Sequence, residues 1–410
     1  MMAPTSRHAL GIMTTHTEGN PPFYNRDFYR KLCLIGAKSG FTVFVFTPQG
    51  IRWAEGTVTG FVYDKNTRRW RPHECPMPSV VYDRCFFTNR GQYVEYRETV
   101  RRLQLFPSIH FLGRGLKGKW EVQQMLEKDG RFDMHLPKTE VMRSVRSAAE
   151  WLQEHGTVLM KPQAGSQGRG VLLVQRTAAS ASTARLHAAD SVAPESAETA
   201  PTAFTVRGRD ARNRRIKRSF ADKAELLRWL RRFTAKRDYL LQQYLQLHGS
   251  SGEAFDVRSL VQKDGNGRWQ MTGMAVRKGQ SGSLTSNLHG GGQVEPAFAY
   301  IEGQFGTEKA KIIREQLERL SMQIPEALEQ CHGRLAELGI DFGVDTDGQI
   351  WILEVNSKPG RAIFAHLNDD AARNKALANP VLYARYLIRS RETLNPARSL
   401  KNTPRPAKSQ

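Results

Sequence analysis

The hydrophobic pattern of the first hundred residues alternates between strand and helix. Residues 8–14 (HALGIMT) and 41–46 (FTVFVF) are short apolar runs typical of buried strands, and residues 27–39 between them carry apolar side chains at helical spacing. A hairpin is expected over residues 58–70 and a further strand over residues 79–83. Because alternating strands and helices usually build a parallel sheet, the pattern predicts a small α/β unit.

Helical patterns dominate the later part of the chain. They cover residues 119–127, 223–233 and 308–338. Pro325 lies inside the last of these patterns, so we expect a second helix to begin there, and we predict one more short helix after Pro380.

One hairpin carries the strongest chemical signal. The dipeptide Asp347-Gly348 is typical of a type I′ turn, which needs a positive φ at both central residues. Folding about that turn places Asp341 opposite Glu354 on two antiparallel strands. Because side chains alternate along a strand, Asn356 lies on the same face.

Two carboxylates and an amide oxygen on one face would repel one another unless a cation lay between them. Hard oxygen ligands of this kind suit Mg²⁺, which takes one or two carboxylates and completes its octahedron with water and phosphate oxygens. The alternative is a solvated turn whose acids are incidental.

A glycine-rich loop between two apolar runs is the second candidate element. It contains Gly165, Ser166, Gly168 and Gly170, and Lys161 stands at its base. Glycines let backbone N–H groups approach anionic oxygens, so the loop suits a flap over phosphates, although a mobile structural loop fits the pattern as well. The loop lacks the G-K-[ST] sequence of a Walker-type nucleotide site.

The third element is a strand pair followed by a loop rich in glycine and serine. Asp256 and Arg258 point the same way on the first strand, and Arg277 ends the second. The loop contains Asn287 and His289, so the region has the donors to hold a phosphoryl group or its acceptor. For His289, an ordinary surface histidine is the alternative.

These motifs together resemble a known superfamily. The spacing D-x12-E-x-N of Asp341, Glu354 and Asn356 is similar to that of the ATP-grasp enzymes. The D-x-R strand, the arginine before the loop and the sequence S-N-L-H followed by glycines resemble its RimK-like ligase branch. Over residues 8–390 the chain looks most like the YheC/YheD family of endospore coat-associated proteins.

The resemblance implies an α/β (α+β) ATP-grasp fold. Its expected parts are an amino-terminal Rossmann-like pre-ATP-grasp domain over residues 1–107, a central subdomain with the flap over 108–243, a carboxyl-terminal subdomain with the metal site over 244–390, and a basic disordered tail over 391–410. Residues 177–203, rich in Ala, Ser and Thr, are expected to be a disordered insertion.

The resemblance also implies site residues. Asp341, Glu354 and Asn356 would hold Mg²⁺ or Mn²⁺, and Arg277 and Asn287 would act in catalysis. ATP would contact Lys119, Lys161, Gly165, Ser166, Gly168, Gly170, Gln242, Gln243, Tyr244, Leu245, Asp256 and Arg258. Gln242 and Gln243 depart from the family, which uses an acidic side chain to hold adenine at this place, so the nucleotide preference stays open.

Two functions from different classes follow from these observations. The first is an ATP- and Mg²⁺-dependent carboxylate–amine ligase that forms an acyl phosphate, with carboxylate and amine substrates that the sequence does not identify. The second is a spore-coat or polyanion-binding structural protein that keeps the ATP-grasp fold with little catalysis.

Composition and motifs limit which other classes of function fit the chain. The net charge is +21, and basic runs such as residues 207–218 attract polyanions without reading sequence. No recognition motif supports sequence-specific nucleic-acid binding, and no G-x-G-x-x-G follows the first strand, so dinucleotide binding is not supported.

The four cysteines lack C-x-x-C spacing, and no apolar run could span a membrane. We therefore expect a cytoplasmic protein, with spore-coat association as an alternative. Tyr82 and Arg84, at a strand end, could touch a substrate, but we expect them to be ordinary surface residues.

Overall fold

The structure is a computed structural model that describes residues 8–165, 168–177, 203–280, 292–365 and 369–394. The strands are β1 Ala9–Met13, β2 Thr42–Phe46, β3 Ile51–Arg52, β4 Thr57–Asp64, β5 Arg69–Pro76, β6 Val80–Asp83, β7 His110–Phe111, β8 Thr139–Val141, β9 Thr157–Pro162, β10 Leu172–Arg176, β11 Phe204–Arg209, β12 Arg215–Phe220, β13 Tyr239–Gln242, β14 Phe255–Lys263, β15 Trp269–Lys278, β16 Gln293–Pro296, β17 Glu337–Val344 and β18 Ile350–Asn356. The α-helices are α1 Arg26–Lys38, α2 Arg90–Gln104, α3 Lys119–Asp129, α4 Val145–His155, α5 Lys223–Thr234, α6 Ala297–Phe305, α7 Thr307–His332, α8 Ala362–Ala365 and α9 Asp370–Leu394. Within these ranges no helix combines the length and the apolar content that crossing a membrane requires.

The first sheet has the order β3-β4-β2-β1-β6-β7, with β5 paired to β4. Strands β2, β1, β6 and β7 are parallel, as the sequence predicts, and β3 to β5 form an antiparallel extension. Leu32 of α1 packs on β1 and β2 in a core that also receives Val381 and Tyr383 of α9. Helix α2 has no counterpart in the sequence predictions, because only Thr99 and Leu103 of its residues are buried and its apolar periodicity is weak.

The second sheet is antiparallel, with the order β12-β11-β10-β9-β13-β8. Helices α4 and α5 cover one face and bury Trp151, Leu226 and Leu230 against it. Helix α4 begins with a capping box at Ser144, and it ends at Gly156, whose φ of 70° suits glycine.

The third sheet is also antiparallel, with the order β16-β15-β14-β17-β18. One face is covered by α7, whose Ile313, Leu317 and Ile324 lie in the largest apolar core of the described residues. On the other face, Phe364 of α8 and Ala376 of α9 pack against β14 and β15.

The predicted helix breaks at two prolines are wrong. Helix α7 runs unbroken through Pro325, and α9 runs through Pro380. A proline inside a helix costs about 3 kcal/mol, because it removes one hydrogen bond and crowds the preceding turn. Each helix buries apolar side chains before and after its proline. Burying a large one, such as Ile324 in α7 or Val381 in α9, contributes about 1.5–3 kcal/mol, so the summed packing outweighs the local penalty.

Candidate active site

The pairing of Asp341 with Glu354 is set by a bulge. Asp341 lies directly opposite Glu354, but Phe342 pairs with Ile352, so Leu353 is an extra residue in β18. The predicted type I′ turn is wrong: Val344 pairs with Ile350, and residues 345–349 form a longer loop in which Gly348 has a φ of 79° and Asp347 has no positive φ. The bulge offsets the longer loop and restores the predicted pairing.

The Asp341 carboxylate is buried between two guanidinium groups. Arg258 bonds both of its oxygens, with Nη2 to Oδ2 at 2.9 Å, and Nη2 of Arg277 lies 2.9 Å from the same Oδ2. Burial alone would raise the pKa of Asp341, but Arg258 and Arg277 lower it to about 2. Asp341 therefore stays ionised at any physiological pH.

The charges form a ladder across neighbouring strands. Arg258 on β14 is the cross-strand partner of Asp341 on β17, and Asp256 on β14 is the partner of Arg277 on β15. Nε of Arg277 donates to Asp256 Oδ1 at 2.6 Å, and its Nη2 donates to Oδ2 at 2.8 Å. Burial lowers the pKa of Arg277, but Asp341 and Asp256 raise it more, so the guanidinium stays charged.

Two lysines approach this ladder from outside the third sheet. Nζ of Lys119, at the start of α3, donates to the carbonyl oxygen of Gly165 at 2.6 Å and lies 3.7 Å from Glu354 Oε1. Lys161, on β9 of the second sheet, is half-buried. Burial lowers the pKa of Lys161 to about 8; Glu354 and Asp341 oppose the shift, and Lys119 adds to it. The glycine-rich loop and the third sheet thus meet at Glu354.

The donor set fits a hard divalent cation. A carboxylate has about four lone-pair sites, and the three bonds from Arg258 and Arg277 leave room for one more ligand on Asp341. Glu354 is partly exposed, and Asn356 donates through Nδ2 to Gly339 O at 3.1 Å, which leaves its amide oxygen as an acceptor. In the described ranges no three His, Cys, Asp or Glu side chains converge. Mg²⁺ usually takes one or two carboxylates and completes its octahedron with water and phosphate oxygens, which matches a site with two carboxylates and an amide.

The residues predicted to hold the adenine of ATP lie at the end of β13 and directly after it. Gln242 is buried and donates from Nε2 to Thr139 Oγ1 at 2.9 Å, inside the second sheet. The backbone N–H of Gln243 donates to Lys138 O at 2.9 Å, and Tyr244 and Leu245 continue the chain away from the strand.

Some predicted features lie outside the described residues. They are Ser166, Asn287, His289, most of the insertion predicted over residues 177–203 and the tail from residue 395. Gly168 and Gly170 are described, and both have a positive φ, 67° and 81°.

A buried ionic cluster joins the first sheet to the third. The Glu337 carboxylate accepts from Tyr82 Oη at 2.5 Å and from Arg84 Nη1 at 3.1 Å, and it forms an ion pair with Arg361. Gln262 Nε2 also donates to it at 3.0 Å. The expectation that Tyr82 and Arg84 are surface residues is wrong, since they are only 4% and 5% exposed. The sequence gives no local signal for this cluster, because Tyr82 and Arg84 lie more than 250 positions from Glu337 along the chain.

A large cleft opens between the end of the first sheet and β18. Its volume is about 1340 Å³. Glu354 and Asn356 line one end, together with Lys119 and Gly165. Farther along, Asp83 accepts from Tyr96 Oη at 2.6 Å and pairs with Lys358 Nζ at 2.8 Å. The remaining walls include Phe87, Tyr93, Phe106, Arg114, Lys117, His332, Arg334 and Ser357.

Comparison with known proteins gives related chains. Residues 108–387 match the family described as YheC/D like ATP-grasp. The chain is 29% identical over 382 residues to endospore coat-associated protein YheD of Bacillus subtilis (strain 168), covering 92% of this chain and 78% of YheD. It is 27% identical over 352 residues to endospore coat-associated protein YheC of the same organism, covering 86% of this chain and 88% of YheC.

A solved structure supports the fold. The crystal structure of D-cycloserine synthetase DcsG superimposes with a TM-score of 0.52 at 14% identity, covering 93% of this chain and 99% of that chain. At this identity the likeness concerns architecture alone, and it agrees with an α/β ATP-grasp fold.

Proposed function

Because the chain belongs to the YheC/D-like ATP-grasp family, we propose that it is an ATP- and Mg²⁺-dependent carboxylate–amine ligase. The observation that carries the proposal is the position of Lys119, which contacts the glycine-rich loop at Gly165 and lies beside Glu354. The positively charged ammonium group of Lys119 lies between the loop backbone and a carboxylate of the proposed metal site. A charge at this position suits the binding of nucleotide phosphates. We propose the same division into domains over residues 1–107, 108–243 and 244–390, with one sheet mainly in each and β7 of the first sheet just beyond residue 107.

The proposed role of each residue follows from its charge. Lys119 and Lys161 bind phosphate oxygens, and Gly165, Gly168 and Gly170 let the loop backbone approach them. Asp341, Glu354 and Asn356 would hold Mg²⁺, which supplies charge neutralisation of the ATP phosphates when bound. Arg258 keeps Asp341 ionised and oriented.

The proposed reaction has two steps, and in each step the nucleophile forms one bond while the leaving group's bond breaks. A carboxylate oxygen of the substrate attacks the γ-phosphorus of ATP, and ADP leaves with the electrons of the broken P–O bond. An amine then attacks the carbonyl carbon of the acyl phosphate, phosphate leaves, and the amine loses a proton as the amide forms. Arg277, held by Asp256 and Asp341, would stabilise negative charge on the transferring phosphoryl group. Asn287 and Ser166 remain proposed members of this site.

Calorimetric titration with Mg·ATP tests the nucleotide and metal site. The double variant Asp341→Asn, Glu354→Gln should lose binding, whereas a control with the same charge change at exposed acids, Glu308→Gln, Asp347→Asn, should bind as the wild type does. Equal binding by all three proteins would contradict the metal assignment. Release of ADP that requires both a carboxylate and an amine would then test the ligase reaction.

A second candidate is a structural role at a spore coat or on another acidic polymer. It is favoured by the net charge of +21 and by the names of YheC and YheD, which are endospore coat-associated proteins. Mg·ATP binding to neither wild type nor variants would favour this candidate. Fractionation of the producing cells would separate a cytoplasmic location from a coat-associated one.

A further inference from the structure

Three cations stand along the cleft without an acidic partner. Arg114, Lys117 and Arg334 are exposed, all line the cleft, and none forms an ion pair with another residue in the described ranges. Most other basic groups near the site are already compensated: Lys358 pairs with Asp83, and Lys119 lies beside Glu354. The three charges are therefore available to a ligand.

The backbone holds these cations next to the proposed reaction centre. The N–H of Arg114 donates to Arg334 O at 2.8 Å, and the N–H of Leu116 donates to Ser357 Oγ at 2.8 Å, one residue beyond Asn356. Burial lowers the pKa of the neighbouring His332, its hydrogen bond with Gly115 O opposes the shift, and the charges of Lys117 and Arg114 lower the pKa further. A ligand that reaches Glu354 and Asn356 along this wall passes the three cations.

Another part of the cleft lining is aromatic. Phe87 and Tyr96 pack with ring centroids 4.7 Å apart, and Tyr93 remains 46% exposed. Aromatic rings of this kind offer large apolar contact area to a ligand with apolar or aromatic groups. A bare inorganic polyanion would leave this wall unused.

The size of the cleft points to a ligand longer than a single amino acid. Its volume of about 1340 Å³ exceeds the roughly 300–1,000 Å³ of sites for drug-sized molecules. The proposed reaction requires a carboxylate at the Glu354 end. The cations then suit additional carboxylates, and the aromatic wall suits side chains between them.

Resting on the ligase function proposed above, we propose that the carboxylate substrate is an acidic peptide that lies along this cleft. Its reacting carboxylate reaches the Asp341–Glu354 pair, further acidic groups contact Arg114, Lys117 and Arg334, and apolar or aromatic side chains contact Tyr93. The three cations select the peptide and take no part in phosphoryl transfer.

Fluorescence anisotropy of two labelled hexapeptides tests the binding directly, in the absence of nucleotide. One is hexaglutamate and the other alternates Glu and Tyr. The variant Arg114→Ser, Lys117→Ser, Arg334→Ser should bind both peptides roughly tenfold or more weakly, since each exposed charge pair contributes modestly and three are lost. The control Arg212→Ser, Lys217→Ser, Arg231→Ser removes the same charge from exposed cations outside the cleft lining and should change binding less than about twofold.

Two results would overturn the proposal. Equal loss in the two triple variants would mean that net charge alone attracts the peptides. Tighter binding of an inorganic polyphosphate of matched charge than of the Glu–Tyr peptide, with no effect of Tyr93→Ala on either, would replace the peptide with a phosphate polymer. Preference for the Glu–Tyr peptide that Tyr93→Ala abolishes is the expected outcome.

The failure of this inference is distinguishable from that of the ligase function. Peptide binding that depends on Arg114, Lys117 and Arg334, without ADP release on addition of ATP and amines, would keep the peptide site and refute the ligase. ADP release with small carboxylic acids, without peptide binding, would keep the ligase and refute the peptide.

Discussion

Tyr82, at the end of the parallel sheet, donates a 2.5 Å hydrogen bond to Glu337, the first residue of β17. The same carboxylate compensates Arg84 and Arg361, and all three partners are buried or nearly so. One acidic group therefore connects the amino-terminal sheet to the strand that carries Asp341.

Glu337→Gln should destabilise the protein strongly. Removing the negative charge leaves Arg84 and Arg361 buried without compensation, a change that costs about 3–5 kcal/mol. Urea unfolding measures this cost, and Glu318→Gln, which breaks an exposed pair with Arg314, should cost less than about 1 kcal/mol. A Glu337→Gln cost as small as that of the control would show that the cluster is not the connection described above.

Lys161 should make stability depend on pH in the alkaline range. Its pKa in the folded protein is about 8, below the ordinary value of 10.5, so between these values the unfolded chain binds more protons and stability rises with pH. The destabilising effect of the buried charge is full below pH 8 and is lost above about 10.5.

The variant Lys161→Met lacks this titration. Its stability relative to wild type should be greater at pH 7 than at pH 10, by on the order of 1–3 kcal/mol. Urea unfolding of both proteins at both pH values gives the stability difference between variant and wild type at each pH. The lost packing of the lysine stem contributes equally at both pH values, so it cancels when the two differences are subtracted. A difference between the proteins that is constant with pH would contradict the shifted pKa.

Lys119→Met should weaken ATP binding. The substitution removes the ammonium group that is proposed to bind a phosphate oxygen beside Gly165 and Glu354. A hydrogen bond to a charged group contributes about 1.5–3 kcal/mol, so affinity should fall roughly 10- to 100-fold. Lys128→Met, at an exposed position of the same helix, is the matched control for calorimetry. Similar affinities for the two variants would remove Lys119 from the nucleotide site.

Native thiol labelling should modify one cysteine. Cys331 is exposed, whereas Cys33, Cys75 and Cys85 are buried, and burial raises the pKa of Cys33 to about 12 and of Cys75 to about 11. Mass spectrometry after brief alkylation at neutral pH should find one adduct on the native protein and four after denaturation. Rapid modification of Cys85 in the native state would contradict the packing of the first sheet.

The sequence predicted those features of the fold and site that depend on local spacing. The parallel strands around β1 follow from the order of apolar runs. The pairing of Asp341 with Glu354 was predicted from a turn that does not form, and it holds because the bulge in β18 offsets the longer loop. The Glu337 cluster could not be predicted in this way, because Arg84 meets it only once the sheets pack. Pro325 misled the prediction because local helix rules omit the apolar face that the surrounding helix buries.

The chain leaves the second sheet after β10 and returns to it at β11, and this arrangement has a practical consequence. Arg176 on β10 pairs with Phe204 on β11, and the N–H of Thr177 donates to Ala203 O at 2.9 Å, so the two ends of the intervening segment already touch. Closing a loop between fixed ends costs only about 0.6 kcal/mol for each doubling of its length. This point of the chain is therefore suited to replacement by a short turn, or to carrying an affinity tag or a fluorescent protein, with the ATP-grasp sheets left in place.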